Sequence, residues 1–207
     1  MISKMEVFKD IESHLLEDET PASYINRISD IGMISEYPFK WLDDMKSTMQ
    51  SPKHHPEGSV WNHTMLVLDE AAKQKHKSKN KRVFMWAALL HDIGKPGSTK
   101  IRNGRITSYD HDKLGAKLAR KFLEEFSQDS EFVDKVANLV RWHMQILFVA
   151  KDLPYRDIEG MKEQTDIEEV ALLGLCDRMG RTGADITNER NNIKIFLDKA
   201  RLFQKIT

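Results

Sequence analysis

The chain has 207 residues, enough to bury a full hydrophobic core, and its 32 Lys and Arg are balanced by 32 Asp and Glu. That balance excludes a global field that would draw in long nucleic acid or an anionic membrane surface, and an ordinary apolar fraction excludes wholesale disorder. The single cysteine, Cys176, excludes an internal disulfide and fits a reducing compartment.

From the start, Met1 to Glu19 is studded with charges and lacks the apolar core of a signal peptide. The longest apolar run, Val83 to Leu90, falls short of the ~20 residues that span a bilayer. A cytoplasmic protein with no membrane partner is therefore expected. Strand patterns are nearly absent, and the spacing of apolar residues predicts an all-α chain. Expected helices are Lys4 to Glu17, Pro21 to Ile31, Phe39 to Met49, Val60 to Gln74, Lys81 to Asp92, Lys113 to Phe126, Glu131 to Gln145, Ile167 to Met179 and Asn188 to Gln204. Breakers at Ser51-Pro52, Pro56-Glu57-Gly58, Gly94 to Gly97 and Gly180 to Gly183 separate them. Asn103-Gly104, flanked by Ile101 and Ile106, suits a short β-hairpin. Residues 1–50 read as a helical extension packed on the same domain as residues 51–207, since no linker divides them. The basic run Lys73 to Arg82 reads as a solvated helix end.

Six polar residues fall where apolar ones are expected. His63 lies three after Val60 and four before Val67, on the buried side of its helix. His91-Asp92 closes the most apolar helix of the chain. His111 falls four before Gly115, His143 four after Leu139, and Asp177 four after Leu173. Each continues an inward stripe, and no Lys or Arg shares those stripes. A lone inward histidine is usually a hydrogen-bonded core residue. Two buried carboxylates among four inward imidazoles, however, need a compensating charge. A divalent metal supplies it, because neutral imidazole and carboxylate are its usual ligands.

With those residues in view, the chain resembles the HD superfamily of metal-dependent phosphohydrolases. His63, then His91-Asp92, then Asp177 matches the family pattern of His, His-Asp, Asp. Residues His54 to Thr64, Ala87 to Pro96, Gly104 to Ala116 and Leu139 to Met144 look like the HD domain of bacterial tRNA nucleotidyltransferases. The likeness covers residues 50 to 180. The nucleotide-adding half of such enzymes has no room here, so nucleotide addition to tRNA is not expected. Ser59 stands where these segments often carry Asp, and Ile93-Gly94 replaces the acidic pair typical of guanosine tetraphosphate hydrolases.

The resemblance implies an HD-domain helical bundle with one or two divalent ions (Mn, Fe, Co, Ni, Zn or Mg). His63, His91, Asp92 and Asp177 would hold the first, His111 and His143 would help hold a second, and Asp92 would bridge them. A metal-bound hydroxide would then attack phosphorus in line. The substrate expected is a small phosphorylated molecule, a nucleotide or an RNA end, hydrolysed as a phosphomonoester or phosphodiester, with no obligate protein partner. Asp92 and Lys95 are the catalytic candidates, and Lys95 in the loop after the ligand pair would meet a phosphate as a point charge. Arg141, Arg178 and Arg181 are candidate phosphate or base contacts. His55, beside His54 in a Pro-flanked loop, is a further substrate contact, while Trp61 and Trp142 are expected in the core. Two other readings share these residues. One is a di-iron oxygenase with the same six ligands. The other is a non-catalytic RNA-binding module using Lys95, Lys100, Arg102, Arg105, Lys113, Lys117, Arg120 and Lys121.

Overall fold

The computed structural model describes residues 2–203. Helices dominate: α1 (Lys4–Glu17), α2 (Pro21–Asp30), α3 (Lys40–Asp43), α4 (Val60–Gln74), α5 (Lys81–Leu90), α6 (Lys95–Ser98), α7 (His111–Glu124), α8 (Ser130–Trp142), α9 (Gln145–Ala150), α10 (Ile158–Gln164), α11 (Ile167–Met179) and α12 (Ile186–Leu202). The fold is an all-α bundle, as the apolar spacing predicts. A hairpin of β1 (Lys100–Arg102) and β2 (Arg105–Thr107) projects from it. Its two turn residues, Asn103 and Gly104, both adopt positive φ (49° and 72°). Only a turn built on Asn-Gly or its like accepts that geometry without strain.

Helix α5 is the centre of the bundle. Every residue from Val83 to Leu90 is buried, and the helix packs against α1, α4, α8 and α11. Helix ends follow local chemistry. Ser59, Asn80, Asp129, Asp166 and Asp185 each cap a helix by accepting a backbone N–H of its first turn. Ser59 thus has a structural use at the position where the resembling segments carry Asp. Helix α1 docks on α5 through Phe8, which stacks on Trp86 with centroids 4.6 Å apart. Glu12 accepts hydrogen bonds from Arg82 Nε and Trp86 Nε1, each 2.8 Å.

Several boundaries differ from expectation. The helix expected over Phe39 to Met49 is a short α3 followed by a 3₁₀ turn, Asp44–Ser47. The helix expected to begin at Lys113 begins at His111. The one expected to reach Gln145 ends at Trp142, where a turn at His143 and Met144 redirects the chain into α9. Helices α6, α9 and α10 were not expected. They are only four to seven residues long, too short for a periodic stripe to register. The last helix begins at Ile186, and its expected end at Gln204 lies outside the described residues. No helix among the described residues is long and apolar enough to cross a membrane.

Two close backbone approaches bring the helix ends together. A Cβ on Gly94 would meet His111 O at 2.1 Å and Gly115 N at 2.5 Å, so the turn after α5 lies directly on the start of α7. A Cβ on Gly180 would meet Val67 at 2.6 Å, so the end of α11 is set against α4.

Candidate metal centre

Five helix ends converge on Asp92. His91 and Asp92 leave the C-terminus of α5, His143 follows the end of α8, and Asp177 lies in the last turn of α11. His111 opens α7 and His63 lies in the first turn of α4. All six expected side chains are buried and lie together. The two oxygens of Asp92 face different histidines. Oδ2 is 3.3 Å from His91 Nε2 and 3.9 Å from His63 Nε2. Oδ1 is 3.5 Å from His111 Nε2 and 3.8 Å from His143 Nε2. Asp177 Oδ1 stands 3.0 Å from His63 Nε2. The structure therefore contains two overlapping groups with ligand-type atoms within 4.8 Å of one another, His63–His91–Asp92 and Asp92–His111–His143, sharing one carboxylate.

Local backbone sets the tautomer of three rings. A helix leaves its last carbonyls without intrahelical partners. His91 Nδ1 donates to Ala88 O (2.9 Å) and His143 Nδ1 to Val140 O (2.7 Å), each reaching back three residues into its own helix end. His111 Nδ1 donates likewise to Ser108 O (2.7 Å). Each ring then offers the lone pair of Nε2 to the centre. His63 achieves the same through Glu57, whose Oε1 accepts from His63 Nδ1 at 2.9 Å. An outer partner on the far nitrogen is the usual support of a metal-binding histidine.

The electrostatics fit a cation. His91 Nε2 and both oxygens of Asp92 are buried without a hydrogen-bond partner. Such atoms cost free energy unless something occupies the space between them. Burial alone would raise both aspartates. At Asp92 the charges of Lys95, His91 and His111 outweigh it, and at Asp177 those of Arg181, His63 and Arg178 do so, holding both carboxyls well below the usual range. Burial lowers His143 to about 3, and His111 is lowered by burial against the pull of Asp92. For His91 burial works the other way from Asp92, which wins and raises the ring. Neutral imidazoles and ionised carboxylates are what a divalent transition ion takes as ligands. The residues present fit one or two such ions.

The expectation that no cation reaches these carboxylates needs correcting. Lys95 Nζ is 2.7 Å from Asp92 Oδ2, and Arg181 Nη2 is 3.4 Å from Asp177 Oδ1. Both come from turns after the helices, which stripe counting does not see. Arg178, next to Asp177 in sequence, is farther from it, at 4.0 Å.

A cavity of about 1260 Å³ opens above the centre, and His55, Lys95, Arg141, Arg178 and Arg181 all line it. Arg141 is engaged there by an ion pair with Asp112. His54 also lines the cavity, whereas Trp61 and Trp142 are core residues whose indole N–H groups donate to Asn26 and Gln164. The far wall is Leu147, Phe148, Leu153, Pro154 and Tyr155, from α9 and the loop after it. Gln145 holds that loop, donating to Tyr155 O (3.2 Å) and accepting from Asp157 N (2.8 Å).

Sequence reasoning missed Glu57 and Gln50. Glu57 reads as part of a Pro-Glu-Gly turn, and nothing periodic marks it. The loop over residues 50–58 is closed at its neck, where Gln50 N donates to Gly58 O (3.0 Å) and Val60 N to Thr48 O (2.8 Å), and it lays Glu57 on His63. Burial would raise Glu57, but hydrogen bonds from His63 and His55 bring it down to about 2. Gln50 accepts from Lys95 Nζ at 2.6 Å and so fixes that ammonium beside Asp92.

A family model described as "HD domain" matches residues 60–182. Among curated relatives, a "Multifunctional CCA protein" of Azoarcus sp. is 29% identical over 184 residues, covering 86% of this chain and 42% of the relative. Proteins of the same description from Thioalkalivibrio sulfidiphilus and Actinobacillus pleuropneumoniae serotype 5b are 26% and 28% identical. They cover 86% and 60% of this chain but 43% and 30% of themselves. The chain thus spans less than half the length of these relatives.

Proposed function

The chain belongs to the HD domain family, and from that premise we propose that it is a metal-dependent phosphohydrolase acting on a phosphomonoester or phosphodiester of a nucleotide or an RNA end. The observation that carries this reading is the split of Asp92, each oxygen facing its own pair of histidines, with an ammonium beside it and a cavity above. His63, His91, Asp92 and Asp177 would hold one divalent ion, and Asp92, His111 and His143 a second. Ions bound there would supply Lewis acidity toward phosphoryl oxygens and lower the pKa of a nearby water toward neutrality.

The chain's own groups do the rest. Asp92 and Asp177 balance the positive charge, and the backbone carbonyls behind His91, His111 and His143 keep their Nε2 lone pairs inward. Lys95, fixed by Gln50, offers a point charge where a phosphoryl oxygen would gather negative charge. Arg178 and Arg181 extend that field along the cavity, while Arg141, held by Asp112, and His55 border it. The substrate class is supported by size. The cavity exceeds the roughly 300–1,000 Å³ of common ligand pockets and has an apolar wall, which a bare phosphate does not need and a base or ribose does. The CCA-protein relatives agree with that class.

The test is turnover by the ion-loaded full chain on chromogenic phosphate esters and 2′,3′-cyclic nucleotides, with Asp92→Ala beside it. Phosphate release by wild type alone supports the proposal. Equal turnover by both proteins, or oxygen uptake without phosphate release, sinks it.

A further inference from the structure

One carboxylate oxygen serves two rings. Glu57 Oε1 lies 2.9 Å from His63 Nδ1 and 2.9 Å from His55 Nδ1. The side chain is 3% exposed, and its other oxygen faces Thr182 N at 3.4 Å, in the turn that carries Arg181. The two imidazoles stand edge to face, with centroids 4.7 Å apart. An ionised carboxylate only accepts hydrogen bonds, so both Nδ1 atoms must carry the proton. Neutral His63 is thereby left with its Nε2 lone pair toward Asp177 and Asp92. Neutral His55 keeps a free Nε2 lone pair in the cavity it lines, where no described residue hydrogen-bonds to it.

We propose that Glu57 is a positioning residue that sets the tautomers of His55 and His63 together, so that the ion site at His63–His91–Asp92 and the His55 face of the substrate cavity are organised by one side chain. The ion-binding half rests on the function proposed above, and the tautomer half stands without it. The other ion group, Asp92–His111–His143, takes its orientation from backbone carbonyls and not from Glu57. Loss of Glu57 therefore acts on one group and spares the other. It also turns His55 from a fixed hydrogen-bond acceptor toward substrate into a ring free to present either nitrogen.

The experiment has two arms on the full chain. In the first, ¹⁵N-histidine spectra of ion-free protein at neutral pH report which nitrogen of each ring is protonated, with His55→Ala and His63→Ala assigning the signals. Wild type is expected to hold both rings as the Nδ1–H tautomer. Glu57→Ala is expected to lose that preference at both. Glu57→Gln keeps an accepting oxygen and is expected to retain most of it. In the second arm, titration with Mn(II) is expected to show one affinity weakened about 10–100-fold in Glu57→Ala and one unchanged. Nε2–H tautomers in wild type overturn the proposal even if Glu57→Ala does not fold. Altered tautomers with both ion affinities intact overturn the link between the two sites. If wild type takes up no ion at all, the proposed function fails while the tautomer arm still decides the role of Glu57.

Discussion

Lys95 Nζ lies 2.7 Å from Asp92 Oδ2, inside the ring of candidate ion ligands. The ammonium therefore competes with any ion for the same carboxylate and is also placed to meet a phosphoryl oxygen. Replacing it separates the two effects. Lys95→Met removes the charge but keeps most of the stem, so ion affinity is expected to hold or rise as a repulsion disappears. Turnover is expected to fall by about 10²–10³, the usual cost of losing one charge-stabilising donor. Calorimetric titration and steady-state kinetics check the two halves. An unchanged kcat would remove Lys95 from the chemistry.

Acid sensitivity of the ion-free protein follows from the buried rings. Burial, helped by Lys95, His63 and Arg181, lowers His55 from 6.5 to about 4, and burial lowers His143 from 6.5 to about 3. Below pH 6.5 the unfolded chain takes up protons that the folded one refuses, so stability falls as pH falls. These rings contribute fully above pH 6.5 and lose their contribution progressively down to their folded values. Glu57, lowered from 4.5 to about 2, extends the loss into stronger acid. His91 is raised and acts in the opposite direction, but it is one ring against His55, His143 and His111. Urea unfolding at neutral pH and between pH 6.5 and 4 is expected to show lower stability in acid. A flat profile would mean the rings are not held neutral. Added divalent ion is expected to raise stability most at neutral pH, since protons compete for the ligand nitrogens.

How much of this could be read beforehand depended on what each residue leaves in the pattern. His63, His143 and Asp177 continue helical stripes, so a polar residue there stands out by position alone. His91-Asp92 stands out by ending an apolar helix. Glu57 and Gln50 sit in an irregular loop, where no period marks inside from outside, and their burial comes from the loop folding over α4. The ion pairs Lys95–Asp92 and Arg181–Asp177 were missed because both cations lie past the helix ends, where stripe counting stops. The helix between Gln145 and Ala150 was read as the tail of its predecessor, since the turn at His143 and Met144 contains neither Gly nor Pro.

Gly94 tests whether backbone proximity builds the site. A methyl group there would sit 2.1 Å from His111 O and 2.5 Å from Gly115 N, both main-chain atoms. No side chain can swing aside, so α7 must shift relative to the end of α5. Gly94→Ala is expected to cost about 1–3 kcal/mol, the range for overpacking a tight contact. It should also weaken ion binding at Asp92–His111–His143, because His111 moves with α7. Thermal unfolding and ion titration read the two effects. Wild-type stability in this variant would mean that the approach is not a constraint.

Phe8 decides whether residues 1–50 share the core of the rest. Its ring is buried between Trp86 of α5 and Phe126, with both centroids 4.6 Å away, so α1 rests on the same helix that delivers His91 and Asp92. Truncating a buried phenylalanine costs roughly 3–5 kcal/mol. If the extension and the bundle form one cooperative unit, Phe8→Ala lowers the midpoint of a single unfolding transition. If α1 were only an appendage, the variant would show an early loss of part of the helical signal, followed by a main transition at the wild-type temperature. Circular dichroism against temperature separates the two outcomes, and one shifted transition is the result expected. Ion affinity in the folded variant should stay close to wild type, because Phe8 reaches the ligands only through the far side of α5.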